Sequence, residues 1–179
     1  MLEFIQTLDW QILSAIQSLQ NPFLDALMPR LTVLGNAGIF WILVALVLLM
    51  IPKTRRCGIA MAIALLLTLL MGNCLLKPLI ARPRPFSMDS AISILIPPPE
   101  DFSFPSGHTY SGIASAIILW RFNRKLGIPA MILAIMIAFT RLYLMLHFPS
   151  DIFGGVLLGI LCAYLGIHFT KFIYRKNRS

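Results

Sequence analysis

Lys77-Pro-Leu-Ile-Ala-Arg82-Pro-Arg84-Pro85, then Pro105-Ser-Gly-His108, then Thr140-Arg141 with His147-Phe-Pro-Ser-Asp151, are three polar clusters set at the edges of long apolar runs. They hold four of the fifteen Lys and Arg side chains and two of the three histidines. Charged groups beside hydrocarbon are costly, so they face a bundle interior or a site. The apolar runs therefore decide the fold, and the clusters at their mouths mark where chemistry is to be sought.

The 179 residues suffice for one domain, 1–179. With 58% hydrophobic and only 12% charged residues, the composition is wrong for a soluble domain and fits an all-α, polytopic membrane bundle. The net charge of +8 would ordinarily raise nucleic-acid binding. Here the charges sit in short loops between apolar runs and read as topology signals, with no nucleic-acid partner expected. Cys57, Cys74 and Cys162 lie in or at the ends of apolar runs, read as buried small hydrophobes. Their odd number and irregular spacing point to neither a disulfide framework nor a zinc site. Glu3 and Asp9 and the lack of a basic n-region argue against a cleavable signal peptide.

Residues 1–34 form an amphipathic segment. Leu2, Ile5, Leu8, Ile12, Ala15, Ile16 and Leu19 recur at helical spacing among Glu3, Gln6, Asp9, Gln11 and Gln17, a pattern for an interfacial helix with Trp10 near the headgroups. Asn21-Pro22 ends it and opens a second short amphipathic piece, 23–34, either a membrane-surface helix or the start of the first span. Spans are expected near 36–52, 57–76, 107–120, 127–146 and 152–170, with a sixth if the amphipathic segment inserts. Asn73 should face other helices rather than lipid. Residues 82–106 carry six prolines, so they form a loop. Its apolar middle, Ala91 to Ile96, either dips into the interface or packs on the bundle. Gly107, Ser111 and Ser115, and again Gly155 and Gly159, are small residues at four-residue spacing that let helices approach closely.

Five spans put the loops at 53–56 and 121–125 and the tail from 171 on one membrane side. Those segments hold ten of the fifteen basic residues and no acidic one. The positive-inside rule makes that side cytoplasmic. The three polar clusters then share the opposite, outward side of a cytoplasmic membrane, where they could meet.

Lys77, Arg84 and Arg141 are fixed cations, and guanidinium forks match tetrahedral oxyanions. Ser106 and Gly107 open a helix, whose first N–H groups attract anions. The combination favours phosphate. A histidine can serve as nucleophile, a carboxylate can fix its tautomer, and a second histidine can protonate a leaving group. The cations can stabilise transition-state charge themselves, so neither metal nor cofactor is called for.

The pattern Lys77-x6-Arg84-Pro85, Pro105-Ser-Gly-His108 and Arg141-x5-His147-x3-Asp151 resembles the three-part signature of the type 2 phosphatidic acid phosphatase superfamily. That resemblance implies a helical bundle with its site near the outer membrane surface and no metal requirement. It assigns His147 as nucleophile, Asp151 as its orienting partner and His108 as general acid. It assigns Lys77, Arg84, Arg141, Ser106 and Gly107 to the phosphoryl oxygens. Thr140 stands where the family usually has serine. Arg82 is extra to the signature, and a contact to a second phosphate is the expectation for it. Asp151 could also cap the helix it begins. His168, at the other membrane end, is given no role.

The activity implied is hydrolysis of the terminal phosphate of a membrane lipid phosphate or diphosphate. Undecaprenyl pyrophosphate and phosphatidylglycerol phosphate are the substrates suggested by the likeness to small bacterial-type members. Two alternatives stay open: a phosphatase or phosphotransferase of the same scaffold acting on another phosphate ester, and a non-catalytic lipid-phosphate-binding or transport protein.

Overall fold

The computed structural model describes residues 2–176; the last three residues of the basic tail lie outside it. Among the described residues every regular element is helical. In chain order these are α1 (Leu2–Gln17), α2 (Pro22–Thr32), a tight 3-10 stretch (Val33–Gly38) and α3 (Ile39–Met50). Then follow α4 (Arg55–Thr68), a π-helical stretch (Leu69–Leu76), α5 (Lys77–Ile80) and α6 (Pro85–Met88). The last are α7 (Gly107–Phe122), α8 (Arg124–Tyr143) and α9 (Pro149–Lys176).

Among the described residues four stretches are long and apolar enough to cross a bilayer: Pro22–Met50, Arg55–Met88, Arg124–Tyr143 and Pro149–Arg175. The protein is an integral membrane helical bundle. The expected span at 107–120 is α7, whose sixteen residues make a rod of about 24 Å. It is the bundle's axis rather than a lipid-facing wall: every residue from Thr109 to Ala116 is buried, and α7 packs against α4, α8 and α9. Only small side chains allow this. A Cβ on Gly159 would stand 2.8 Å from the Tyr110 carbonyl oxygen, and one on Gly155 would meet Ser106 and Thr109, so α9 lies almost backbone to backbone on α7.

The N-terminal segment turns its apolar stripe, with Ile5, Leu8, Ile12 and Leu19, outward, the orientation an interfacial helix takes. The face turned to the protein carries Asp9 and Leu13, both buried, with Trp10 edge-on to Phe148 at 5.2 Å. In a bilayer the solvent is hydrocarbon, so the apolar face has no reason to turn inward. The second amphipathic piece is the start of the first span, Pro22–Met50, rather than a separate surface helix. α2 buries Met28 and Thr32 and runs through a kink, with Ala37 and Gly38 at positive φ, into α3.

Ile92, Ile94 and Ile96 of the long loop pack on clusters built by Leu13, Met145, Phe148 and by Tyr143, Leu144, Leu146. The apolar middle therefore packs on the bundle. Asn73 accepts from the Tyr110 hydroxyl at 2.5 Å, across helices as expected. Cys57 and Cys162 are buried, whereas Cys74 is exposed, contrary to the uniform burial expected of the cysteines.

Candidate active site

The π-helical stretch ends at Lys77. Such turns carry one residue more than an α turn and recur at functional sites. Lys77 is buried and forms an ion pair with Asp101. Ala81, at positive φ, ends the short helix, and two X-Pro steps hold the following residues extended. Arg84 is buried there. Its Nε donates to the Asp101 carbonyl at 2.8 Å and one Nη donates to the Asp101 carboxylate at 2.6 Å. The other Nη donates to the Leu146 carbonyl at 2.7 Å and stands 3.1 Å from His147 Nε2.

The spacing Arg141-x5-His147 has a structural origin. α8 stops at Tyr143, Met145 takes a left-handed φ of 57°, and the chain folds back. Leu146 and His147 then donate their N–H groups to the Arg141 carbonyl. That places His147 over its own helix end. Arg141 Nη1 donates to Thr32 Oγ1 at 2.7 Å, while its buried Nε has no partner. A buried guanidinium with an open donor is primed for an anion. The Thr140 hydroxyl donates to the Ile137 carbonyl at 2.6 Å, a bond serine could also make.

His147 is fully enclosed. A guanidinium can only donate, so the contact from Arg84 makes Nε2 the lone-pair nitrogen and leaves the proton on Nδ1. Nδ1 lies 3.6 Å from Asp151 Oδ2 and 3.4 Å from Ser103 Oγ. Burial pushes the imidazole down to about 3; Asp151 works against the shift, while Arg84 and Arg141 add to it. The ring is therefore neutral at physiological pH, with its Nε2 lone pair turned to Arg84. Asp151 Oδ2 also accepts from Ser103 Oγ at 2.5 Å and from the Phe148 N–H at 2.8 Å. The latter bond caps α9, so Asp151 both caps its helix and faces His147.

His108, on the first turn of α7, is held from the other side. Its Nε2 lies 3.1 Å from Asn36 Oδ1. Gly35 gives the ring room, since a Cβ there would come within 2.3 Å of it.

Lys77, Arg84, Arg141, Gly107, His108 and His147 all line one cavity of about 790 Å³, which Asp101 and Asn36 also line. The cavity continues between α3 and α4 along an apolar wall including Ile42, Leu46, Leu65 and Leu69. Two expected contacts are not among its lining. Ser106 is buried beneath it, with Oγ accepting from Thr109 at 3.0 Å and N–H donating to the Asp151 carbonyl at 3.2 Å. Arg82 points away, to Asp9 at 2.7 Å and Asp151 at 2.6 Å. Two carboxylates claim its fork, so the expected second-phosphate contact by Arg82 does not fit this placement. Among the described residues no group of three or more His, Cys, Asp or Glu side chains gathers as a metal cradle.

Five residues at the site escaped sequence reasoning: Asp9, Thr32, Asn36, Asp101 and Ser103. Asp9 is one of several polar side chains on α1, beside Gln6 and Gln11, whereas Thr32 and Asn36 each stand between apolar or small neighbours. Ser103 and Asp101 stand just ahead of Pro105-Ser-Gly-His108, and their proximity to that cluster was the signal available.

A helical membrane bundle that closes three cations and two imidazoles around one mouth defines a class, that of integral membrane phosphatases. Similarity to known proteins narrows it. Residues 55–175 match the PAP2 superfamily. The undecaprenyl-diphosphatase of Sulfolobus acidocaldarius is 31% identical over 149 residues, 83% of this chain and 71% of that protein. Undecaprenyl-diphosphatase BcrC of Bacillus subtilis is 29% identical over 168 residues, 93% of this chain and 86% of that one. The crystal structure of a transmembrane PAP2-type phosphatidylglycerolphosphate phosphatase from Bacillus subtilis superposes with a TM-score of 0.77 at 27% identity, covering 94% of this chain and 87% of that chain. The chain belongs to the PAP2 superfamily, as the motif residues implied.

Proposed function

We propose that this protein hydrolyses the terminal phosphate of a lipid diphosphate, with an isoprenoid diphosphate of the undecaprenyl kind as the preferred substrate, at the outward face of the cytoplasmic membrane. One observation carries the reading: the cationic mouth and an apolar groove between α3 and α4 are a single cavity. A headgroup can reach the cations while its tail stays among Leu46, Leu65 and Leu69. The similarity to undecaprenyl-diphosphatases supports the choice of tail and leaving group.

The proposed chemistry has two displacements. His147 Nε2 attacks phosphorus while the bond to the leaving oxygen breaks, and the electron pair goes to that oxygen. His108 hands it a proton, and the lipid monophosphate leaves. Asp151, through Nδ1, stabilises the positive charge that grows on the imidazole. Lys77, Arg84 and Arg141 take the equatorial oxygens, with the Gly107 N–H at the helix start. Water then gives a proton to His108 and attacks phosphohistidine. The P–N bond breaks, its electrons return to Nε2, and inorganic phosphate departs.

The outward orientation rests on charge. Arg56, Arg121 and Lys171 gather with Tyr174 around a small cleft, where Arg56 lies 4.4 Å over the Tyr174 ring. They come from the basic segments 53–56, 121–125 and 171–176, which the topology assigns to the cytoplasmic side.

The test is released phosphate from a panel in detergent: undecaprenyl diphosphate, phosphatidylglycerol phosphate, phosphatidic acid and a soluble aryl phosphate, with His147→Ala as blank. The isoprenoid diphosphate should have the highest kcat/KM. Equal turnover of the soluble ester would remove the role given to the groove. Turnover in the blank would remove the nucleophile.

A further inference from the structure

Asp9 is the least expected buried group in the molecule. It sits on α1, outside the segment matched to the family, and is only 2% exposed although the helix turns its apolar stripe outward. A buried carboxylate without partners would be destabilising by several kcal/mol, so its partners define why it is there. Oδ1 accepts from the Ser150 N–H at 2.9 Å, a donor on the first turn of α9 that has no partner within its own helix. Oδ2 accepts from Ser150 Oγ at 2.5 Å and from Arg82 at 2.7 Å.

Arg82 then continues the chain. The Nη that does not touch Asp9 donates to Asp151 Oδ1 at 2.6 Å and to Ser150 Oγ at 2.7 Å. Gln6 accepts from the same Nη as Asp9, at 2.9 Å. The guanidinium lies 4.2 Å over the Phe148 ring, and Trp10 backs that ring. Asp151 Oδ2, the oxygen left over, is the one that faces His147.

We infer that Asp9 is a positioning residue for the nucleophile, acting through Arg82 and Asp151; this rests on the assignment of His147 above. The charge balance gives the reason. With Asp9 present, one guanidinium serves two carboxylates, and Asp151 keeps negative charge to offer the imidazole. Without it, Arg82 neutralises Asp151 alone and its second donor pair is free to swing the carboxylate off His147. The phosphoryl-binding cations are untouched by either change. The effect therefore belongs to the chemical step and not to substrate affinity.

The experiment uses full-length protein in detergent. Asp9→Asn keeps the shape and the acceptor for Ser150 N–H but loses the charge. Its kcat should fall about 10–100-fold, the usual effect of losing an outer-shell partner. KM and inhibition by inorganic phosphate should stay within about twofold, and single-turnover labelling of His147 should slow by the same factor as kcat. The double variant Asp9→Asn with Arg82→Gln should be no slower than Arg82→Gln alone. Unchanged kcat in Asp9→Asn overturns the inference, as does a rise in KM that accounts for the whole loss, or additivity in the double variant. Should Asp9→Asn not fold, Arg82→Lys replaces it. A lysine cannot span both carboxylates in fork geometry, so full-rate Arg82→Lys is equally fatal. His147→Ala separates the two readings: activity in that variant sinks the nucleophile assignment itself, whereas an inactive His147→Ala beside a full-rate Asp9→Asn sinks this inference alone.

Discussion

Two regions of the chain meet at the cavity, and they contribute in opposite ways. The segment 55–175 brings Lys77, Arg84, His108, Arg141 and His147, each in a cluster of polar residues. The segment 2–38 brings Asp9, one of several polar side chains on α1, and Thr32 and Asn36, each between apolar or small neighbours. Thr32 accepts from Arg141, Asn36 stands at His108 Nε2, and Asp9 holds Arg82. The first region thus supplies groups that can touch a phosphate, and the second supplies groups that aim them. Aiming groups need only a hydrogen bond to a side chain already in place, so one hydroxyl or amide suffices and leaves no motif behind.

That division makes graded predictions. The largest effect should come from the first region. His147→Ala should cut turnover at least ~10³-fold on every substrate, as loss of a nucleophile does, with no phosphoenzyme trapped. A smaller loss would break the division by showing that aim matters as much as contact.

Thr32→Val should come next. It removes the hydroxyl to which Arg141 donates in a buried setting. Hydrogen bonds to charged groups are worth about 1.5–3 kcal/mol, so a rise in KM for lipid substrates of roughly 10–100-fold is expected. Competition by inorganic phosphate should weaken in step. If KM holds and kcat alone falls, Thr32 serves the chemical step instead of the grip on phosphate.

Asn36→Leu should give an effect that depends on the leaving group. If the amide holds His108 as the acid, the variant should lose roughly tenfold on lipid substrates, within the usual range for general acid catalysis. It should lose almost nothing on an aryl phosphate whose phenolate departs unprotonated. Equal losses on both would make Asn36 a packing residue for the kink at Ala37 and Gly38.

The same contrast explains what the sequence could carry. Apolar runs gave away the helices, and three clusters with fixed internal spacing gave away the cations and imidazoles, because each of those signals is local. What α1 turns toward the protein was not local. Its stripe of Ile5, Leu8 and Ile12 marks the outward side of an interfacial helix, but nothing beside Asp9 in the sequence shows that it meets Arg82. Arg82 was misjudged for a related reason. Its sequence neighbours are the cations of the mouth, whereas its partners Asp9 and Asp151 lie 73 and 69 residues away. Ser106 looked like a phosphate ligand because it directly precedes α7, yet it is buried, its Oγ accepts from Thr109 and its N–H donates to the Asp151 carbonyl.

Asp101 offers the smallest and sharpest test, because it belongs to the first region yet works against contact. Its carboxylate pairs with both Lys77 and Arg84, two of the cations proposed to take the phosphoryl oxygens. Burial raises its pKa, but Lys77 and Arg84 outweigh that and hold the carboxyl down at about 2. It is therefore an anion throughout the working range of pH. A phosphate entering the mouth has to displace it. Its side chain is 53% exposed, so water screens the pair and displacement is easy. Asp101→Asn removes the competing charge and retains an acceptor for Arg84. KM for lipid diphosphate should fall roughly threefold, a size in keeping with a screened surface ion pair, and kcat should hold. The folded-state pKa lies below the unfolded one, so in the folded protein the carboxylate keeps its charge until pH falls to about 2. The gain should accordingly be flat between pH 5 and 8. A rise in KM would reverse the assignment: Asp101 would then be the strut that keeps Lys77 and Arg84 spread for the substrate, and the loop that carries it would join Thr32 and Asn36 among the groups that aim.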